Sequence, residues 1–154
     1  MTGPVIVDAN PLLLLIVGST DLKYISVHKN LSDYSESDFE ILGLAISVFS
    51  DIVLIPHVMA EVSSLARQTK NPARARIQSK LRDLVETTGE LPMTSLDGVR
   101  RDEFETFGLT DAIILQACSL FQNDLDVWLL TADEKLAVAA EMLGYGVTNF
   151  SHLR

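Results

Sequence analysis

VWLLTADEKLAVAAEMLGYGVTN, residues 127–149, begins with a run suited to the middle of a sheet and closes on a second, shorter one. Val127 to Thr131 is unbroken in its apolar, aromatic and β-branched character, the pattern of a strand covered on both faces. Thr131-Ala132-Asp133-Glu134 then reads as a capping box opening a helix that runs to Leu143, with Gly144 positioned to close it. Gly146-Val147-Thr148 reads as a last short strand.

Working back toward the N-terminus, the same alternation recurs. Val5-Ile6-Val7 is a β-branched strand that ends at Asp8-Ala9-Asn10, and Pro11 suits the first turn of a helix through Val17. Gly18 to Asp33 is polar and aperiodic, and Ser35 to Asp38 supplies caps for an apolar-periodic helix through Phe49. Asp51 to Pro56 reads as a second buried strand. Helices are expected over His57–Gln68 and Ala73–Thr88, broken near Asn71-Pro72, with Ile77, Leu81, Leu84 and Val85 on one face of the second. Leu91 to Thr94 suggests a short strand and Asp97 to Phe107 a helix. Gly108-Leu109-Thr110-Asp111 opens another helix, which places Ile114, Leu115, Cys118 and Phe121 at core spacing. Strands alternating with helices imply a three-layer α/β/α sandwich around a mainly parallel sheet, in one domain over residues 1–154.

The composition supports a packed domain. The chain has 154 residues, 47% of them hydrophobic and 21% charged, which excludes general disorder. Its longest strictly apolar run, Leu12 to Val17, is far short of a membrane span. The N-terminus has no basic region before its apolar run, so no secretory signal is expected, and the single Cys118 cannot form an internal disulfide. These features point to the cytoplasm. The net charge of −9 disfavours general nucleic-acid affinity, but the charge is unevenly placed. Six of the twelve basic residues, Arg67, Lys70, Arg74, Arg76, Lys80 and Arg82, lie between Glu61 and Asp83 with no acid among them. That stretch is either a solvated helix face or a phosphate-contacting one.

Parallel sheets carry their sites beyond the carboxyl ends of the strands. Four acids fall there: Asp8 after the first strand, Glu61 one turn into the helix after the second, Asp111 at a helix start, and Asp133 just past Thr131. Crowded at one rim they repel unless a cation neutralises them. Oxygen donors suit Mg²⁺ or Mn²⁺, whereas Zn²⁺ needs Cys or His at spacings absent from this sequence. Taken singly, Asp111 and Asp133 are also explained as acids favoured by a helix dipole. Asp8 is not, since a strand end offers an acid nothing but desolvation. His57, four residues before Glu61, reads as a capping or solvent-facing histidine, and Cys118 and Trp128 read as core.

In four places the sequence resembles the PIN-domain family of metal-dependent ribonucleases: VIVDAN, MAEVSSL, GLTDAIIL and WLLTADEKLAVAAEMLGYGVTNF. The resemblance implies a PIN-like fold and an endoribonuclease whose acidic quartet is Asp8, Glu61, Asp111 and Asp133, holding Mg²⁺ or Mn²⁺. It also implies supporting polar roles for Asn10, Thr131, Thr110 and Asn149. On this reading Arg67, Lys70, Arg74, Arg76 and Lys80 are candidates for RNA contact, with Arg74 and Lys80 facing outward near the site. Small VapC-like toxins of the family further imply a homodimer and an antitoxin partner, with no membrane association. The alternative is a catalytically inactive PIN-like module that binds RNA or protein. A haloacid-dehalogenase site is disfavoured because Asn10 and Leu12 stand where it needs Asp and Thr, and a receiver domain lacks its paired acid and late Lys.

Overall fold

Val5–Val7 (β1) are almost wholly enclosed, as an apolar β-branched triplet between two sheet neighbours must be. In the computed structural model, which describes residues 3–121 and 127–154, β1 pairs in parallel with Ile52–Val53 (β2) on one side and Trp128–Thr131 (β3) on the other. Gly146–Asn149 (β4) then pairs in parallel with β3, giving the order β2-β1-β3-β4. An all-parallel sheet needs crossovers, and helices supply them. Ala9–Thr20 (α1) follows β1 and packs against Glu36–Ser47 (α2), Pro56–Ala66 (α3) and Ala73–Thr88 (α4). Ser95–Val99 (α5) and Phe104–Phe107 (α6) pack on Leu109–Leu120 (α7), while Glu134–Met142 (α8) packs on β3 and β4. The result is a three-layer α/β/α fold. Among the described residues no helix is long and apolar enough to cross a membrane.

Several local expectations hold. α4 spans the residues expected of it, with Ile77 and Leu81 buried and Leu84 and Val85 half-buried. Ser35 and Asp38 form a reciprocal capping box at the start of α2. Gly144 closes the helix after Leu143 with φ of 89°, a left-handed backbone that glycine adopts without a Cβ penalty. Cys118 is buried, and Trp128 packs against Phe49 with ring centroids 6.1 Å apart.

Others are corrected. The second strand is only two residues long and half-buried, because β2 lies at the sheet edge and Pro56 already belongs to α3. Leu91–Thr94 forms no strand. The chain there makes a single bridge, between Leu54 and Glu90. The helix expected over Asp97–Phe107 is two short ones, and Arg101 in the gap between them binds Glu103 and Gln116. The aperiodic segment Gly18–Asp33 contains two 3₁₀ turns and buries Ile25, His28 and Leu31, with His28 held by the Ala66 carbonyl at 3.3 Å.

Candidate functional site

Helix starts gather the acids at one rim. Asp8 is the N-cap of α1, its Oδ1 accepting from the Ala9 amide at 2.8 Å. A strand end therefore does offer this acid something, and the expectation that it gains nothing locally is wrong. Asp133, not Thr131, is the N-cap of α8, its Oδ1 accepting from the amides of Lys135 at 2.9 Å and Leu136 at 3.2 Å. Thr131 belongs to β3 and has a different task. Its buried hydroxyl donates to Asp8 Oδ2 at 2.9 Å and accepts from the Asp133 amide at 3.0 Å, so one side chain ties the two acids together across adjacent strands. Replacing Thr131 by the near-isosteric valine is expected to destabilise the fold by roughly 1–3 kcal/mol, through an unpaired amide and a carboxylate stripped of a donor. Urea unfolding measures it, and an unmoved midpoint contradicts the linking role.

All four acids, Asp8, Glu61, Asp111 and Asp133, line one cavity of about 660 Å³. Their charges are coupled. Burial raises the Asp111 carboxyl to about 7, and Asp8, Asp133 and Glu61 push it the same way. Burial also raises Glu61, with the charge of Asp8 adding to it. For Asp8 burial again raises the carboxyl, opposed by the Ala9 amide and the Thr131 hydroxyl and supported by the charge of Asp133. Capping accounts for Asp8 and Asp133 as single residues, but Glu61 lies in the second turn of α3, past the free amides of its N-terminus.

No family model and no curated protein matches this chain.

The donor set suits a hard cation. Among the described residues no three His, Cys, Asp or Glu side chains stand close enough to close on one ion as placed. Mg²⁺ does not require that, because it keeps several waters and commonly takes one or two carboxylates directly. The other expected residues divide. Asn10 and Thr110 line the cavity with the acids. Asn149 does not: its Nδ2 donates to Glu134 Oε2 at 2.6 Å and its Oδ1 accepts from the Ser151 amide at 3.0 Å, which fixes the turn after β4.

Arg67, Lys70, Arg74, Arg76 and Lys80 also lie outside the cavity lining. Arg76 Nη1 donates to the Tyr24 hydroxyl at 2.8 Å and faces Asp21 at 3.8 Å. Asp21 is the C-cap of the twelve-residue α1 whose N-cap is Asp8, so the Arg76–Asp21 pair lies at the opposite end of a helix about 18 Å long from Asp8. Arg74 donates to the Thr69 carbonyl at 2.8 Å, and Lys80 borders a separate hollow with Leu15, Ser19 and Asp83. Arg76 and Lys80 thus lie toward the C-terminal half of α1, against which α4 packs. Sequence reasoning undervalued His57, which lines the cavity with its Nε2 3.2 Å from Ser95 Oγ. Its four-residue spacing from Glu61 was the available signal.

Proposed function

We propose that this protein is a divalent-metal-dependent endoribonuclease of PIN-like type, hydrolysing RNA phosphodiester bonds. The observation that carries the reading is the convergence of four carboxylates from four separate helices on one cavity, with mutual charge coupling at Asp111. Mg²⁺ or Mn²⁺ bound by Asp8, Asp111 and Asp133 would polarise the scissile phosphate and make water nucleophilic at neutral pH.

The chain's own residues then have distinct tasks. Thr131 and the Ala9 amide hold the two Asp8 oxygens in fixed directions. Asp133 is fixed by its cap bonds, so both acids are positioned before any ligand arrives. Glu61, whose carboxyl burial and the charge of Asp8 make more basic than an ordinary glutamate, would take the proton from the attacking water. Asn10 and Thr110 offer neutral hydrogen-bonding groups beside the phosphate. The resemblance to small toxins adds a homodimer and an antitoxin partner to the proposal, which the gene neighbourhood and the mass of the purified protein test.

The direct experiment is cleavage of a labelled RNA by purified protein with Mg²⁺, Mn²⁺ or EDTA. Internal cleavage with either metal and none in EDTA supports the reading. Binding without cleavage in every condition favours the inactive PIN-like module instead.

A further inference from the structure

Aromatic side chains in this fold share one use, and the acidic cavity holds an exception. Among the described residues the half-buried aromatic rings pack against the hydrophobic core, as Tyr34, Phe49 and Trp128 do, and only Phe104 and Phe107 of α6 do not. Of those two, Phe107 lines the cavity of the four acids. Among the described residues it has no aromatic partner, and no cation stands over it. His57 carries the only other ring in the lining, and its Nε2 is engaged with Ser95.

The place of Phe107 is set by the turn that follows it. Gly108, with φ of 87°, ends α6 and caps α7, so Phe107 and Asp111 fall on either side of one tight turn and both line the cavity. A neutral ring there neither offsets the acids' charge nor ligates a cation. It keeps apolar surface in water that the flat face of a ligand can cover. A nucleic acid carries such a face beside every phosphate, and stacking on an aromatic side chain tolerates any base. The other apolar residues of the lining, Ala9, Ala60 and Leu109, have no such plane.

We propose that Phe107 is a stacking platform for a nucleobase adjoining the scissile phosphate of the bound RNA, which makes it a substrate-binding and specificity-determining residue. This rests on the ribonuclease reading. Stacking strength sets the preference, so a purine at that position binds better than a pyrimidine, and loss of the ring is read in KM and Kd.

The test first maps the cut that wild type makes with Mn²⁺ in one fluorescein-labelled RNA oligonucleotide, then replaces each nucleotide flanking the cut in turn by an abasic one. At one position the abasic substrate is expected to raise the wild-type KM about ten-fold with kcat little changed, as loss of one stacked base does. Phe107→Leu, which keeps an apolar side chain without a ring, is expected to raise KM equally on the intact RNA and to be indifferent to the abasic change, since both remove the same contact. Phe107→Trp is expected to restore the wild-type KM. Fluorescence anisotropy in the Asp8→Asn background, with and without Phe107→Leu, reads binding apart from cleavage and is expected to show the same ratio. An unchanged KM in Phe107→Leu overturns the platform while leaving the nuclease standing. So do losses from Phe107→Leu and the abasic substrate that multiply. A loss confined to kcat with a displaced pH profile overturns it too, and assigns the ring to desolvating Asp111. Should Phe107→Leu fail to fold, Phe107→Met takes its place, and a wild type indifferent to every flanking abasic nucleotide overturns the platform equally. A wild-type protein that neither cuts nor binds the intact RNA removes the functional reading, and the platform with it.

Discussion

Asp8→Asn is expected to abolish divalent-dependent RNA cleavage, by at least about a thousand-fold, in a protein that unfolds at the same temperature as wild type or higher. Removing the charge of a residue that touches the reacting phosphate through its ligand typically costs several powers of ten in rate. Stability moves the other way because the carboxylate is buried and faces the charge of Asp133, and both effects disfavour its ionised form. Asparagine keeps only one of the two bonds, its single carbonyl accepting from the Ala9 amide or from the Thr131 hydroxyl, so the relief of charge is expected to offset one lost hydrogen bond. Steady-state cleavage and a thermal melt on the same preparation check both halves. Full activity in Asp8→Asn excludes the residue from the site, and a lost cooperative melt makes it a structural one.

The second large effect concerns pH and metal. The Asp111 carboxyl sits at about 7 in the folded chain, against 3.8 for an unperturbed aspartate such as the unfolded chain exposes. Between those values the folded state holds a proton that the unfolded state has lost. Stability of the metal-free protein therefore falls as pH rises from about 4 to about 7, and the raised carboxyls of Glu61 and Asp8 steepen the fall. Asp111→Asn is expected to flatten that slope and raise the melting temperature at pH 8. Mn²⁺ is expected to do likewise, since binding at a hundred times its Kd adds about 2.7 kcal/mol. In a chain of this size that is roughly 5–10 °C. Melts in EDTA and in Mn²⁺ from pH 4 to 8 settle it: a flat metal-free profile together with no response to Mn²⁺ sinks the proposal of a cation among these acids.

Asp8, Asp111 and Asp133 stand out in the sequence because each follows an apolar strand or opens a helix, although capping and the helix dipole favour acids at those places in any case. Glu61 was readable from chain order alone. What periodicity could not reveal were contacts across the chain. Whether Thr131 or Asp133 caps α8 depends on Asp8, over a hundred residues away, competing for the threonine hydroxyl. His57 looked solvent-facing because nothing near it in sequence announces that α5 will bring Ser95 to its ring. The basic stretch is a run in sequence, and where its Arg76 lies depends on Tyr24 and Asp21 in a segment with no periodicity to read. The edge strand β2 looked longer in sequence than it is, since apolar residues before a helix also serve as its hydrophobic lead-in.

The register of β1 against β3 has a consequence in time. Val5 pairs with Trp128, and the Thr131 hydroxyl that orients Asp8 is 123 residues further along the chain. A ribosome adding about 5–20 residues per second needs roughly 6–25 s to cover that distance. Throughout that interval the nascent chain holds Asp8 and, later, Glu61 and Asp111, but the central strand of its sheet does not yet exist. Such non-local pairing makes the last step of folding the slow one. The acidic cavity is therefore completed late, when β3 pairs with β1 and brings Asp133 to it, and an incomplete chain emerging from the ribosome carries the parts of the site without the site itself.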